Sequence, residues 1–131
     1  MPDIVTLARA WIAVFAEGNF EDFPGTVADD LVLRLPFLPE GMDNEFCGRD
    51  VVCKVLRASA ERRSKLVFDD VRILRTEDPE WVVTTAKAQA QLDGGGVYRN
   101  EYIMLTRIRG NEVLEHVEYL NPLAVLASLA T

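Results

Sequence analysis

The side chains able to do chemistry gather in the last third of the chain. Tyr98, Asn100 and Tyr102 recur at every second position of VYRNEYIMLTRIR, and His116 and Glu118 do the same in EVLEHVEYL. Alternate side chains of a β-strand share a face, so each set projects together. A carboxyl on the inward face of a strand, under apolar cover, is desolvated and suited to work as a general acid or base. Phenols and a carboxamide on the neighbouring strand can donate hydrogen bonds to a developing oxyanion. The pattern therefore points to proton transfer next to a carbonyl. In that reading Glu118 is the acid–base group and His116 its partner, with Tyr98, Asn100 and Tyr102 binding the substrate. Structural alternatives stay open. Glu118 could instead close the fold through a salt bridge to Arg9 or Arg34. His116 could be a satisfied core histidine, and Asn100 a cap for strand-edge backbone groups.

The elements that must position these groups follow from periodicity. Asp3 caps a helix over about Ile4 to Ala16, with Val5, Ala8, Trp11, Ile12 and Phe15 at helical spacing and Gly18 as its stop. Asn19 caps a short second helix that Pro24-Gly25 cuts off. Leu31–Phe37 reads as a strand, and LPEGMDNEF as a loop. Gly48 precedes a helix over about Arg49 to Arg63, striped by Val51, Val52, Val55, Leu56 and Ser59/Ala60. The period then changes to two across Leu66–Leu74, Trp81–Leu92, Tyr98–Arg109 and Glu112–Leu120, separated by EDPE, DGGG and GN turns. Pro122–Leu129 closes the chain as a short helix. Helices followed by an antiparallel meander define an α+β fold of one domain over residues 1–131, with helices on one face of the sheet.

Alternation also assigns a cavity wall and an outer face. Ala86, Ala88 and Ala90 share one side of their strand and leave space there. Trp11 and Phe37 join the tyrosines as its substrate-binding lining, and the expected ligand is small and apolar or aromatic. Val113, Val117, Tyr119, Ile103 and Leu105 form an apolar outer face that a second copy of the chain would cover, giving a homodimer.

Composition narrows the classes. The chain has 131 residues, 49% of them hydrophobic and 27% charged. It is long enough to hold a core without metals or disulfides. Its net charge of −7 opposes nucleic-acid binding, which needs clustered cations. The one basic run, Arg57, Arg62, Arg63 and Lys65, reads as the wet side and end of a helix. Cys47 and Cys53 fit no metal-ligand spacing and read as reduced, non-catalytic thiols in a cytoplasm. No metal, cofactor or membrane contact is expected, since the N-terminal stretch is too polar and short for a signal or a span.

The order helix–helix–strand–helix–meander resembles the nuclear transport factor 2-like, or ketosteroid isomerase-like, cone. GRD at Gly48–Asp50, TEDP at Thr76–Pro79, VYRNEY at Val97–Tyr102 and VEYLNPLAVLASL at Val117–Leu129 are similar to its SnoaL-like branch, nearest to the phenazine-biosynthesis A and B proteins. The resemblance implies a cone-shaped, curved, mostly antiparallel sheet against three helices. It implies an acid–base role for Glu118 and a pocket place for Ser59. It also implies a histidine where this chain carries Val55. The expected activity is cofactor-free isomerase, cyclase or dehydratase chemistry on an apolar carbonyl metabolite, as in phenazine or polyketide-type secondary metabolism. The alternative is a non-catalytic ligand-binding or dimeric assembly domain of the same fold.

Overall fold

The computed structural model describes residues 2–129. Helix α1 runs over Ile4–Glu17, and Asp3 accepts the Thr6 N–H at 2.9 Å as its cap. That hydrogen bond holds the Asp3 carboxyl below its ordinary range. Gly18 ends the helix in the left-handed region (φ 66°), where a side chain would also strike Arg57 of the next helix at 2.9 Å. The short second helix is a single 3-10 turn, Phe20–Asp22. Asn19 does not cap it, because its side chain turns to Asp22 instead.

Strand β1 covers Thr26–Arg34, β2 Glu45–Cys47, and helix α2 Arg49–Ala60. The meander is β3 Val67–Arg75, β4 Trp81–Gln91, β5 Val97–Arg109 and β6 Glu112–Tyr119, followed by helix α3 Pro122–Leu129. All six strands form one sheet in the order β2-β1-β6-β5-β4-β3. Every pairing is antiparallel except β1 with β6. The sheet curls around the helices rather than closing on itself.

Two features escaped the periodicity. Strand β1 begins five residues before Leu31, because Thr26 and Val27 pair with Glu112 and Val113 at the far end of the sheet. Gly25 permits this approach: a Cβ there would lie 2.2 Å from the Asn111 carbonyl. The stretch read as a loop contains β2, which borrows its hydrogen bonds from the edge of β1.

The inner face of β5 is the even set from Tyr98 to Ile108, as alternation requires. In β6 the alternation breaks. Arg107 pairs with Glu115 and Ile108 with Val113, so Leu114 has no partner and forms a bulge. The extra residue reverses the sides. Val113 therefore turns inward with His116 and Glu118 and is fully buried, not part of the outer face. Val117 is covered as well, at 8% exposure. The outer face keeps Ile103, Leu105 and Tyr119. Phe37 sits there too. Strand β1 stops at Arg34, and the following turn carries Phe37 round to pack edge-on against Tyr119, with ring centroids 5.0 Å apart.

The core joins α1 to the inner sheet. Leu7, Trp11, Val14 and Phe15 meet Leu31, Leu33, Val82, Ile108 and Val113. A second cluster sets Ile12 against Ala86, Ala88, Tyr102 and Met104. The three alanines are buried, and they give room to Ile12 and the long side chains of β5. At the far rim Glu80 joins Arg107 and Arg109, both at 2.9 Å, which holds its carboxyl below the ordinary range. Leu31→Ala should cost about 2–5 kcal/mol in denaturant unfolding, because the tightly enclosed site cannot collapse around the void.

Candidate functional site

Between the concave sheet and the helices lies a cavity of about 330 Å³. Its wall is apolar over Phe15, Leu33, Leu35, Leu56, Phe68 and Met104. Glu118, Tyr98, Tyr102, Ser59 and Arg63 bring polar groups to it, and the exposed Arg62 and Asp93 stand at its rim. Helix α3 supplies Val125, Ser128 and Leu129, which accounts for the half-buried side of an otherwise exposed helix.

Five of the expected site residues line this cavity: Glu118, Ser59, Val55, Tyr98 and Tyr102. Four do not. His116 is fully buried behind Glu118, and Trp11 is fully buried in the core behind His116. Asn100 lies at the end of β5, where it takes the Asn121 N–H at 2.8 Å and donates to the Asn121 carbonyl at 3.1 Å. That is the backbone-capping role left open for it, although its amide also donates to the Tyr98 hydroxyl at 2.8 Å. Phe37 faces outward, as described above. Alternation ranks faces correctly but does not tell a wall residue from one buried underneath it.

Three groups form a chain from core to cavity. The Trp11 indole N–H donates to His116 Nδ1 at 3.0 Å, and the Thr106 hydroxyl lies 3.0 Å from the same nitrogen. An indole nitrogen only donates, so Nδ1 must accept and the ring proton sits on Nε2. His116 Nε2 lies 3.5 Å from Glu118 Oε1 without forming a hydrogen bond to it. That nitrogen has no hydrogen-bond partner among the described residues. Phe15 lies over the imidazole with centroids 4.1 Å apart and fixes its plane. The salt-bridge alternative for Glu118 is not what the structure shows. Arg34 pairs with Glu115 and, at 3.8 Å, with Glu45, whereas Arg9 is exposed on α1.

The two inward tyrosines form a second device. Their hydroxyls lie 2.8 Å apart, and the Asn100 amide donates to Tyr98. One phenolic hydrogen serves the bond between them, so the other remains for a further acceptor. Burial pushes both phenols above their ordinary range, and the nearby Glu118 adds to the effect at Tyr102. Both therefore stay neutral donors.

Arg63 belongs to a basic run whose pattern predicts the wet side and end of a helix, yet it reaches the cavity. The signal was present: Val55, Ser59 and Arg63 recur at every fourth position. Helix α2 ends at Ala60, and a bridge from Arg63 to Leu92 then holds the side chain inward. Cys47 and Cys53 are unbridged, and Cys53 Sγ meets the Gly18 carbonyl at 3.0 Å, away from Glu118.

Two measurements check this geometry. The chain has one histidine, so long-range ¹⁵N–¹H spectra report His116 alone. They should show the Nε2–H tautomer in the protein and lose that preference in Trp11→Phe. Alkaline titration tests the tyrosines. The folded state binds these protons more tightly than the unfolded chain, so the stabilisation is complete below about pH 10 and falls away as pH rises above it. Phenolate absorbance from Tyr98 and Tyr102 should therefore appear only together with unfolding, and a titration of all three tyrosines before unfolding would contradict it.

Comparison with known proteins agrees with the fold. An uncharacterized PhzA/B-like protein of Pseudomonas aeruginosa is 28% identical over 99 residues, spanning 75% of this chain and 70% of its own. Among solved structures, a candidate isomerase from Bacillus subtilis superposes with a TM-score of 0.83 at 18% identity, over 99% of this chain and 96% of that one. A phenazine biosynthesis-related protein of Pseudomonas aeruginosa gives a TM-score of 0.75 at 13% identity, over 95% of this chain and 84% of that one. The SnoaL-like domain model matches residues 8–116, from the first helix to the buried histidine of the last strand, and the chain belongs to that family within the NTF2-like fold.

Proposed function

We propose that the cavity binds a small, mainly apolar carbonyl compound and that Glu118 moves a proton on it without a cofactor. The reaction class is isomerase, cyclase or dehydratase. One observation carries this reading: the Glu118 carboxyl stands in an apolar wall, with Nε2 of a buried imidazole that the Trp11 indole orients 3.5 Å behind it. Glu118 takes the proton from the carbon beside the carbonyl, and the C–H electron pair passes into an enolate. The free phenolic hydrogen of the Tyr98–Tyr102 pair donates to the oxygen as charge builds there. Return of the proton at another carbon completes an isomerisation, and loss of a β-hydroxyl as water completes a dehydration. His116 does not reach the cavity, so it acts as a positioning residue through Glu118. The names of the relatives, a PhzA/B-like protein and a candidate isomerase, fit such chemistry and a place in secondary metabolism.

One observation favours a second reading. Val55 stands in the cavity wall where the family resemblance implies a histidine, so one acid–base partner is missing. The same pocket would then hold a ligand without turning it over.

Deuterium exchange separates the two. With cyclic 1,3-diketones and enones in D₂O, the protein should accelerate exchange at the carbon beside the carbonyl. Glu118→Gln should lower that rate by roughly 10²–10⁴-fold, with ligand affinity little changed. Its melting temperature should hold or rise, because a carboxylate in an apolar wall serves function at the expense of the fold. Equal exchange by Glu118→Gln, or a large fall in its melting temperature, rejects catalysis by Glu118. Binding without exchange by the unaltered protein supports the second reading.

A further inference from the structure

The pairing of charges singles out one side chain. Only three of the fourteen Lys and Arg residues are half-buried: Arg34, Arg63 and Arg107. Arg34 pairs with Glu115, and Arg107 with Glu80. Arg63 has no acidic partner within ion-pair reach among the described residues, although acids outnumber bases twenty-one to fourteen. Its guanidinium donates to two main-chain carbonyls, Ala16 at 2.8 Å and Ser64 at 3.3 Å. A guanidinium has five N–H donors in a planar fork, so donors remain unused. Glu17, one of the nearest acids, is engaged by Lys65 at 3.4 Å. Glu118 acts on Arg63 only through space. A half-desolvated cation without a counter-ion is costly, and it lines the same cavity as Glu118 and the tyrosine pair.

We propose that the ligand of this cavity carries an anionic group, a carboxylate or its equivalent, that the Arg63 guanidinium receives. The inference rests on the cavity being the ligand site and does not require Glu118 to be catalytic. Planar bidentate geometry suits guanidinium to a carboxylate. The ligand would then be a keto acid or an aromatic acid: its charged end lies on Arg63, its carbonyl takes the free phenolic hydrogen, and its body lies on the apolar wall. The protein's net charge of −7 repels anions at long range, so a preference for one must come from a cation at the cavity. Arg62 and Asp93 are exposed at the rim, where water screens them, which leaves the half-buried Arg63 as the cation in the wall. The competing role for Arg63 is purely structural. Its bond to the Ala16 carbonyl places a cation at the C-terminus of α1, where it would steady the helix and nothing more.

Equilibrium binding of a matched pair of probes, 2-naphthoate and the neutral 2-naphthamide, decides between these roles. The unaltered protein should bind the acid about tenfold or more tightly than the amide, the usual worth of a hydrogen bond to a charged group. Arg63→Met should abolish that preference and leave the amide affinity near its original value. Arg63→Lys should keep part of it. Arg62→Met, at the exposed neighbour that shares the cavity rim, should leave it intact. Equal binding of both probes by the unaltered protein overturns the anion anchor and leaves the pocket standing, and this measurement does not depend on any variant folding. Preference retained in Arg63→Met, or lost in Arg62→Met instead, also overturns it. Failure of both probes to bind overturns the inference together with the cavity as ligand site, whereas loss of exchange in Glu118→Gln bears only on catalysis.

Discussion

The hydrogen bond from Trp11 to His116 joins the two halves of the molecule. Trp11 is the largest buried side chain of α1, and His116 lies at the centre of β6 between β1 and β5. A buried imidazole nitrogen left without a partner costs about 1–3 kcal/mol, and the Trp11 indole, beside the Thr106 hydroxyl, satisfies Nδ1 at that point. Satisfying it fixes the height and rotation of α1 over the sheet. Phe15, one turn on, then covers the imidazole, and Leu7, one turn back, enters the same core. The contact also sets the tautomer, which leaves the Nε2 N–H on the side of Glu118, 3.5 Å from its Oε1. One bond thus serves packing and the site together.

The cavity lies beside the contact of α1 with β4 and β5, not on the alanines. Ala86 and Ala88 pack with Ile12, Tyr102 and Met104, so the space that alternation assigns to the alanines is taken up by the helix and they do not line the cavity. Helix α2 is tied to the end of α1 by Arg57 and Cys53, both on the Gly18 carbonyl, and by the glycine that lets them come close. That junction sets the width between Ser59 on one wall and Glu118 on the other. The polar groups of the cavity are thus held by elements that have structural reasons to be where they are, and rigid support of this kind is what a binding or catalytic site needs.

Electrostatics divides the surface from the interior. Along the rim, pairs such as Arg75 with Asp3 and Arg49 with Asp29 are exposed and contribute little each. In the cavity wall, two neutral phenols, the Glu118 carboxyl and the Arg63 guanidinium face a low-dielectric space without pairing directly, while Arg62 and Asp93 stand exposed at the rim. A fold selected only for stability would pair or remove such groups.

The sequence by itself determined the order of the elements apart from β2, the helix caps at Asp3 and Gly18, and the inward face of β5. Each rests on local rules: hydrophobic period, side-chain capping and the backbone freedom of glycine. It placed Glu118, Ser59, Val55, Tyr98 and Tyr102 on the correct faces, because a strand or helix face depends on parity or spacing alone. Tertiary structure decided the rest. The bulge at Leu114 reversed the parity of Val113, since pairing between distant strands, not local preference, sets register. Strand β2 exists because β1 offers it an edge, and the early start of β1 depends on β6. Depth was equally invisible: Trp11 and His116 share inward faces with Glu118, but only the packing of α1 over the sheet puts them beneath the wall. Arg63 looked like solvent-facing charge until the turn after α2 met Leu92 and swung it inward. Face is a property of neighbours in sequence, while depth and partner depend on residues a hundred positions apart.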